Sequence, residues 1–138
     1  MNRAGVLLDT GPLVALLHRS DVNHGRAKRL MAECAAPLRT CEAVLAEASH
    51  LLSKIDGRGP SGVLALGRSG AFEIALRVDE HWLPIERTIA KYRNLPASLA
   101  DACLIRCADL YAEPRIVTFD GHFRIYRWGR HRAFEILE

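Results

Sequence analysis

Short apolar runs without polar alternation are the feature that most restricts the fold of this chain. GVLLD at residues 5–9 and RIVT at residues 115–118 are two such runs. A strand that is apolar on both sides must be covered on both sides, which is the environment of a parallel sheet with helices packed against it. The sequence therefore predicts an α/β fold with a central parallel sheet.

The remaining elements alternate in the same way. Thr10 is predicted to cap a first helix, with Pro12 in the first turn. Further helices are predicted over residues 22–35, 42–54, 61–69, 79–93 and 98–111, strands over 38–40, 72–78 and 134–137, and a short helical turn over 119–126. No repeat or linker interrupts them, so residues 1–138 are predicted to form a single domain with its ligand at the carboxyl ends of the strands.

Composition excludes several classes of protein. Hydrophobic residues make up 49% of the chain, which argues against disorder, and no apolar run approaches the roughly 18 residues of a membrane span. The four cysteines show no C-x-x-C spacing, and the apolar run near the N-terminus is too short for a signal peptide. We therefore expect a soluble cytoplasmic protein. The net charge of +3 rests on 16 arginines and 3 lysines, which suits phosphate contacts without requiring them.

Asp9-Thr10-Gly11 is the triplet that carries the catalytic aspartate of aspartic proteases. In those enzymes it lies in a loop of an all-β domain, whereas here it lies between a buried strand and a Leu-rich helix. The protease interpretation is therefore disfavoured. Asp9 instead ends a strand at the carboxyl edge of the sheet, where it either caps the helix or, if Thr10 does so, is free to bind a ligand.

Three further acids are predicted near the same edge. Glu47 lies three residues after Val44 and four before Leu51, so it is expected to point toward the core side and serve a site. The alternative is a glutamate that pairs with an arginine or lies at the edge of the apolar stripe. Asp101 completes an S-x-x-D capping pattern, and Asp120 follows a strand in an Asp-Gly turn. Each acid thus has a structural interpretation, but the four together predict a shared site where the strands end.

Four clustered carboxylates would raise one another's pKa values unless a cation joined them. Hard divalent ions prefer oxygen ligands, and the six histidines show no ligand spacing, so the pattern favours Mg²⁺ or Mn²⁺ over zinc. Such sites carry out phosphoryl transfer and phosphodiester hydrolysis. The alternative is an inactive binding module that uses the acids to hold an Arg-rich partner.

Arginines alternate with aromatic residues in HFRIYRWGRHR, residues 122–132. Arginine binds phosphates while aromatic rings stack on bases, so Arg124, Arg127 and Arg130 are candidate RNA-binding residues. The alternative is a helix that buries the apolar members of this segment and leaves the arginines in solvent.

The four acids lie in LLDTGPLVALL, TCEAVLAEASHLL, PASLADACLIRCA and IVTFDGHFRIYR. In this order the motifs resemble those of PIN domains, most closely the VapC-type toxins of bacterial and archaeal toxin–antitoxin pairs. SLADA combined with TFDGHF is the specific part, and the resemblance spans nearly the whole chain. It implies a three-layer α/β/α fold around a central parallel sheet, and Mg²⁺- or Mn²⁺-dependent endoribonuclease activity.

The resemblance also implies site residues and partners. The family's acidic quartet corresponds to Asp9, Glu47, Asp101 and Asp120, and its hydroxyl beside the metal waters to Thr118, with Thr10 as a second candidate. We expect the three aspartates to bind the metal directly, and Glu47 either to coordinate it through water or to help orient the nucleophile. An RNA substrate, a homodimer and a small antitoxin whose tail enters the acidic cleft are also implied. A PIN nuclease of RNA maturation or decay, without a toxin role, is the alternative.

Overall fold

A five-stranded parallel sheet forms the centre of the protein. The computed structural model describes residues 3–138, apart from the Asp56 side chain. Its strands are β1 Leu7–Leu8, β2 Leu38–Thr40, β3 Phe72–Ile74, β4 Arg115–Val117, β5 Arg127–Trp128, β6 Arg132–Ala133 and β7 Glu135–Leu137. The main sheet has the order β3-β2-β1-β4-β7 with every pairing parallel, and β5 and β6 form a separate antiparallel hairpin.

Helices connect and cover the strands, which confirms the predicted α/β fold. Within residues 3–138 they are α1 Thr10–Leu17, α2 His24–Glu33, α3 Glu42–Asp56, α4 Gly59–Arg68, α5 Trp82–Lys91 and α6 Leu99–Tyr111. Short 3₁₀ turns cover Val78–Glu80 and Gly121–Arg124. No helix in this part of the chain combines the length and the hydrophobicity needed to cross a bilayer.

The central strands are buried because neighbouring strands flank them and helices cover them. Leu7 and Leu8 of β1 and Ile116 of β4 have no exposed surface. Burying a side chain of this size stabilises a fold by about 1.5–3 kcal/mol, so these short strands contribute well beyond their length. Three of the cysteines, Cys41, Cys103 and Cys107, are free and belong to the same core.

The path of the chain through the sheet creates a crevice between β1 and β4. From β1 the chain moves outward to β2 and then β3, and it returns to place β4 on the other side of β1. Right-handed crossovers put the connecting helices of the two halves on opposite faces of the sheet. Ligands of such folds bind where the strand order reverses, outside the carboxyl ends of the strands.

Most of the predicted elements are present, with shifted ends. Asp9 is the N-cap of α1, so the assignment of Thr10 to that position was wrong. The strand predicted over residues 72–78 ends at Ile74, because its partner β2 ends at Thr40. Pro84 lies in the first turn of α5, as expected. The strand predicted near the C-terminus is β7, at the edge of the sheet.

The arginine-rich segment contains a hairpin that was not predicted. The chain forms the 3₁₀ turn Gly121–Arg124, and the β5–β6 hairpin follows it directly. Phe123 and Tyr126 are fully buried, whereas Ile125 is half exposed. The alternative of a helix that buries all three is therefore wrong.

Candidate metal centre at the carboxyl edge of the sheet

A cleft with a volume of about 400 Å³ opens where β1 and β4 end. Five acidic side chains line it: Asp9, Asp21, Glu47, Asp101 and Asp120. Within the part of the chain that the structure describes, none of the lining residues is a lysine or an arginine. The four acids singled out in the sequence therefore face one cleft, which has no cation of its own along its wall.

Asp9 is held between the ends of two neighbouring strands. Leu8 pairs with Val117 across β1 and β4, so the following residues, Asp9 and Thr118, lie side by side. The Thr118 hydroxyl donates to Asp9 Oδ2 at 2.6 Å, and the backbone N–H of Thr10 donates to Asp9 Oδ1 at 2.8 Å. Both carboxylate oxygens thus have a fixed position at the base of the cleft.

Asp101 enters the cleft from the first turn of α6. The predicted capping box is present, because Ser98 Oγ accepts from the Asp101 N–H at 3.0 Å and Asp101 Oδ2 accepts from the Ser98 N–H at 3.4 Å. The buried Tyr126 hydroxyl donates to the same Oδ2 at 2.8 Å. Burial, and next the hydrogen bond to Asp101, raise the pKa of Tyr126, so this hydroxyl keeps its proton and remains a donor.

Asp120 reaches the cleft from the turn after β4. Its Oδ1 accepts from the backbone N–H of His122 at 2.9 Å, and its own N–H donates to Thr118 Oγ1 at 3.0 Å. The turn predicted from the Asp-Gly sequence is therefore present. Thr118 links the two strand-end aspartates, because it donates to Asp9 and accepts from Asp120.

The three aspartates converge closely enough to share one ion. One carboxylate oxygen from each of Asp9, Asp101 and Asp120 lies within 4.8 Å of the other two. Asp9 is only 6% exposed, and burial is the largest influence that raises its pKa from 3.8 to about 6. Hydrogen bonds from Thr118 and Thr10 oppose that rise, while the charges of Asp101 and Asp120 add to it.

The chemistry of these donors fits a hard divalent cation. Among the described residues, the cluster offers carboxylate oxygens alone, with no histidine or cysteine ligand. Magnesium and manganese prefer such ligands and keep several waters. Thr10 also lines the cleft, and its hydroxyl is buried without a hydrogen-bond partner among the described residues.

Glu47 lies on the wall of the cleft, outside the cluster of three. It is exposed, so the expectation that it points toward the core was wrong. The buried stripe of α3 consists of Val44, Ala48 and Leu52, whereas Leu51 is 39% exposed. Glu47 and Leu51 lie together on the flank of that stripe, and this flank faces the cleft.

The three candidate RNA-binding arginines are not among the residues that line the cleft, and they differ in the groups that they contact. Arg124 pairs with Glu138 at 2.5 Å, whereas Arg130 is exposed in the hairpin turn. Arg127 donates through Nη1 to the backbone carbonyls of Arg124, Ile125 and Tyr126, so its guanidinium closes the preceding turn.

Sequence reasoning missed several residues of the cleft. Asp21 and Asn23 line it from the loop between α1 and α2, and Phe119 lines it beside Asp120. No periodicity marks a loop residue, so Asp21 carried no signal. Tyr126 was noted only as an aromatic residue, although its position in the motif after Asp120 could have indicated that it supports Asp101.

Comparison with known proteins identifies the fold. The PIN domain family model matches residues 6–129. Among solved structures, the sarcin-ricin loop cleaving toxin VapC20 of Mycobacterium tuberculosis is 23% identical with a TM-score of 0.77, covering 94% of this chain and 100% of that one. VapBC2 from Rickettsia felis, bound to a DNA fragment from its promoter, is 12% identical with a TM-score of 0.60, covering 99% of this chain and 100% of that one. No curated protein matches the chain by sequence.

Proposed function

The chain belongs to the PIN domain family, and from this premise we propose that it is a metal-dependent endoribonuclease acting in the cytoplasm. We propose further that it is the toxin of a VapBC-type toxin–antitoxin pair. The observation that carries the proposal is the cluster of Asp9, Asp101 and Asp120, whose oxygens lie within 4.8 Å of one another at the switch point of the sheet.

In this proposal the three aspartates hold Mg²⁺ or Mn²⁺. Such an ion activates water and neutralises the charge that develops on the leaving oxygen of a phosphodiester. The Thr118 hydroxyl fixes the orientation of Asp9 Oδ2, and the Tyr126 hydroxyl fixes that of Asp101 Oδ2. In the same proposal the exposed Glu47, which lines the cleft, coordinates the ion through water or helps to orient the nucleophile.

The shape and charge of the surface support a single-stranded RNA substrate. A cleft of about 400 Å³ is large enough to admit part of a nucleotide chain. Arg124 and Arg130 lie on the segment that follows Asp120, where exposed guanidinium groups bind phosphates. Arg127 is also exposed in part, but its contribution to RNA binding is limited by its bonds to the backbone.

Two protein partners belong to the same proposal. A cleft lined by five acids and lacking lysine and arginine among its described residues suits a basic segment of an antitoxin. A homodimer is supported by an apolar groove beside α5, where Trp82 and Leu99 are both at least half exposed.

An RNA cleavage assay tests the enzymatic part. The purified protein should cut single-stranded RNA with Mn²⁺ or Mg²⁺ and stop when EDTA is added. Asp9→Asn should be inactive, because an amide keeps the shape of the carboxylate but binds the cation weakly. Asp79→Asn is the matched control, since Asp79 pairs with Arg77 away from the cleft. Unchanged cleavage by a folded Asp9→Asn protein would refute the proposal.

Expression in cells tests the toxin part. Growth should stop when the wild-type protein is produced, continue with Asp9→Asn, and recover when a cognate antitoxin is co-expressed. Cleavage in the test tube without growth arrest would instead indicate a nuclease of RNA maturation or decay.

A further inference from the structure

The cleft poses an electrostatic problem for an RNA nuclease. Its wall carries five acids, and a divalent ion offsets only two of their charges. A phosphate backbone that approaches this wall is repelled unless cations hold it close by. Because the described lining residues include neither lysine nor arginine, the necessary cations must lie at the rim.

Arg26 is a cation that contacts the wall directly. It lies on α2, and its guanidinium carbon stacks over the ring of Phe119 at 4.5 Å from the ring centre. Phe119 lines the cleft beside Asp120. No sequence pattern singles out Arg26, because its contact with Phe119 joins two residues that are far apart in the chain.

Arg26 shares an anion with Arg124. Glu138 Oε2 lies 3.5 Å from Arg26 Nη2, and Glu138 Oε1 lies 2.5 Å from Arg124 Nη2. Each guanidinium thus contacts one oxygen of the same carboxylate through a single nitrogen. Arginine pairs with phosphate oxygens as it does with carboxylate oxygens, so the same two groups can contact one phosphate.

We propose that Arg26 and Arg124 form a phosphate-binding site for the RNA backbone at the rim of the cleft. The Glu138 carboxylate holds the two guanidiniums when RNA is absent, and a phosphate displaces it when RNA binds. This inference rests on the proposed function, because it assigns a subsite to the same substrate. The proposal assigns phosphate binding to Arg124 and not to Arg127, because the Arg127 guanidinium is hydrogen-bonded to backbone carbonyls.

The exposure of the three side chains is consistent with such an exchange. Arg26 is 37% exposed, Arg124 60% and Glu138 44%, so solvent and ligand reach all of them. Exposed ion pairs contribute little to stability, so displacing the carboxylate costs little. The two arginines and one glutamate carry a net charge of +1, which becomes +2 at the guanidiniums once Glu138 moves away.

The proposal is tested by measuring RNA binding to a variant that is expected not to cleave RNA. In the Asp9→Asn protein with Mn²⁺, the affinity for a short labelled single-stranded RNA is measured by fluorescence anisotropy over a range of salt. Arg26→Gln and Arg124→Gln should each weaken binding about tenfold. Each should also reduce the slope of log K against log salt, and the two together by about 0.7, the value for one phosphate contact on a single strand, because both groups contact the same phosphate.

Two further variants and a control separate a phosphate site from a general effect of charge. Arg29→Gln removes the same charge from α2, but Arg29 pairs with Glu33, so binding should change less than twofold. Glu138→Gln should tighten binding, because it removes the competing anion. Arg26→Lys should restore the salt slope but recover the affinity only in part, since an ammonium group lacks the planar fork.

Each outcome supports or overturns the site. Equal effects of Arg26→Gln and Arg29→Gln, or weaker binding by Glu138→Gln, would overturn it. If Arg26→Gln fails to fold, the Arg124→Gln and Glu138→Gln pair gives the same decision. If the wild-type protein cuts RNA with Mn²⁺ while all of these variants bind like the parent, only the phosphate site fails. If the wild-type protein does not cut RNA, the proposed function fails.

Discussion

Glu113 and Asp9 are similarly buried carboxylates with opposite surroundings. Arg115 donates to both carboxylate oxygens of Glu113, through Nε at 2.8 Å and Nη2 at 2.7 Å. Burial acts to raise the pKa of Glu113, but the hydrogen bonds and the charge of Arg115 outweigh it and hold that pKa below its ordinary value. The charged groups acting on Asp9 are two more acids, and its pKa rises to about 6.

The two carboxylates lie at opposite ends of the same strand, β4. Arg115 begins this strand and pairs with Glu113 just before it, whereas Thr118 follows the strand and contacts Asp9. At the amino end, the fold supplies a buried acid with a cation from its own chain. At the carboxyl end, three acids meet, and the described lining residues of the cleft include no lysine or arginine, which supports the proposed metal site.

The largest expected effect is on RNA cleavage, which should depend on the acids at the carboxyl end of β4 and not on Glu113 at its amino end. Asp101→Asn replaces one of the three clustered carboxylates with a neutral amide, while Glu113→Gln leaves the cleft unchanged. Removing a group that only supports a metal ligand costs about 10- to 100-fold, so losing a ligand should cost more than about 100-fold in the rate of RNA cleavage. Initial rates with Mn²⁺ give the measurement. Equal loss in both variants, with both folded, would abolish the distinction between the two ends.

The second effect concerns stability and has a defined dependence on pH. Glu113→Gln should lower the free energy of unfolding by about 1–3 kcal/mol at neutral pH, because the ionised carboxylate loses its charge-assisted bonds to Arg115. A depressed pKa means that this stabilisation is present above the ordinary Glu value of 4.5 and is lost as the pH falls below it. Urea unfolding of both proteins from pH 7 to pH 3 should show their stabilities converge; a constant difference would contradict the ion pair.

A smaller effect is expected where a hydroxyl supports the cluster. Tyr126→Phe removes the donor to Asp101 Oδ2 and should weaken Mn²⁺ binding about tenfold. Tyr92→Phe is the matched control, because the Tyr92 oxygen accepts from the Arg127 N–H and is not bonded to any of the three aspartates. Calorimetric titration with Mn²⁺ compares the two variants. The same affinity in both would show that the Tyr126 hydroxyl has no role at the cluster.

The smallest expected effect is on stability and concerns Arg127, whose guanidinium is hydrogen-bonded to neutral backbone carbonyls. Arg127→Gln removes three hydrogen bonds to backbone carbonyls and should destabilise the fold by about 1 kcal/mol, less than the loss of the Glu113 pair. Arg130→Gln, in the exposed turn, should change stability by less than about 0.5 kcal/mol. Thermal unfolding followed by circular dichroism distinguishes them, and an equal response would show that the bonds of Arg127 carry no stabilisation.

The parallel sheet and the meeting of the aspartates were predictable because both depend on strand order and periodicity. Asp9 and Asp120 follow apolar runs, and parallel strands end at one edge. The orientation of Glu47 was not predictable, since Leu51 looked like part of the buried stripe of α3 and is instead on its flank. The β5–β6 hairpin has strands of two residues, too short for any alternation to appear.

The three clustered aspartates each stabilise the start of an element as well as face the cleft. Asp9 caps α1, Asp101 completes the capping box of α6, and Asp120 caps the turn that follows β4. Asparagine caps helices about as well as aspartate does. At Asp9 or Asp120 an asparagine would therefore keep the cap while weakening the proposed metal site. One replacement at either position would separate the folding of the chain from its capacity to bind a cation.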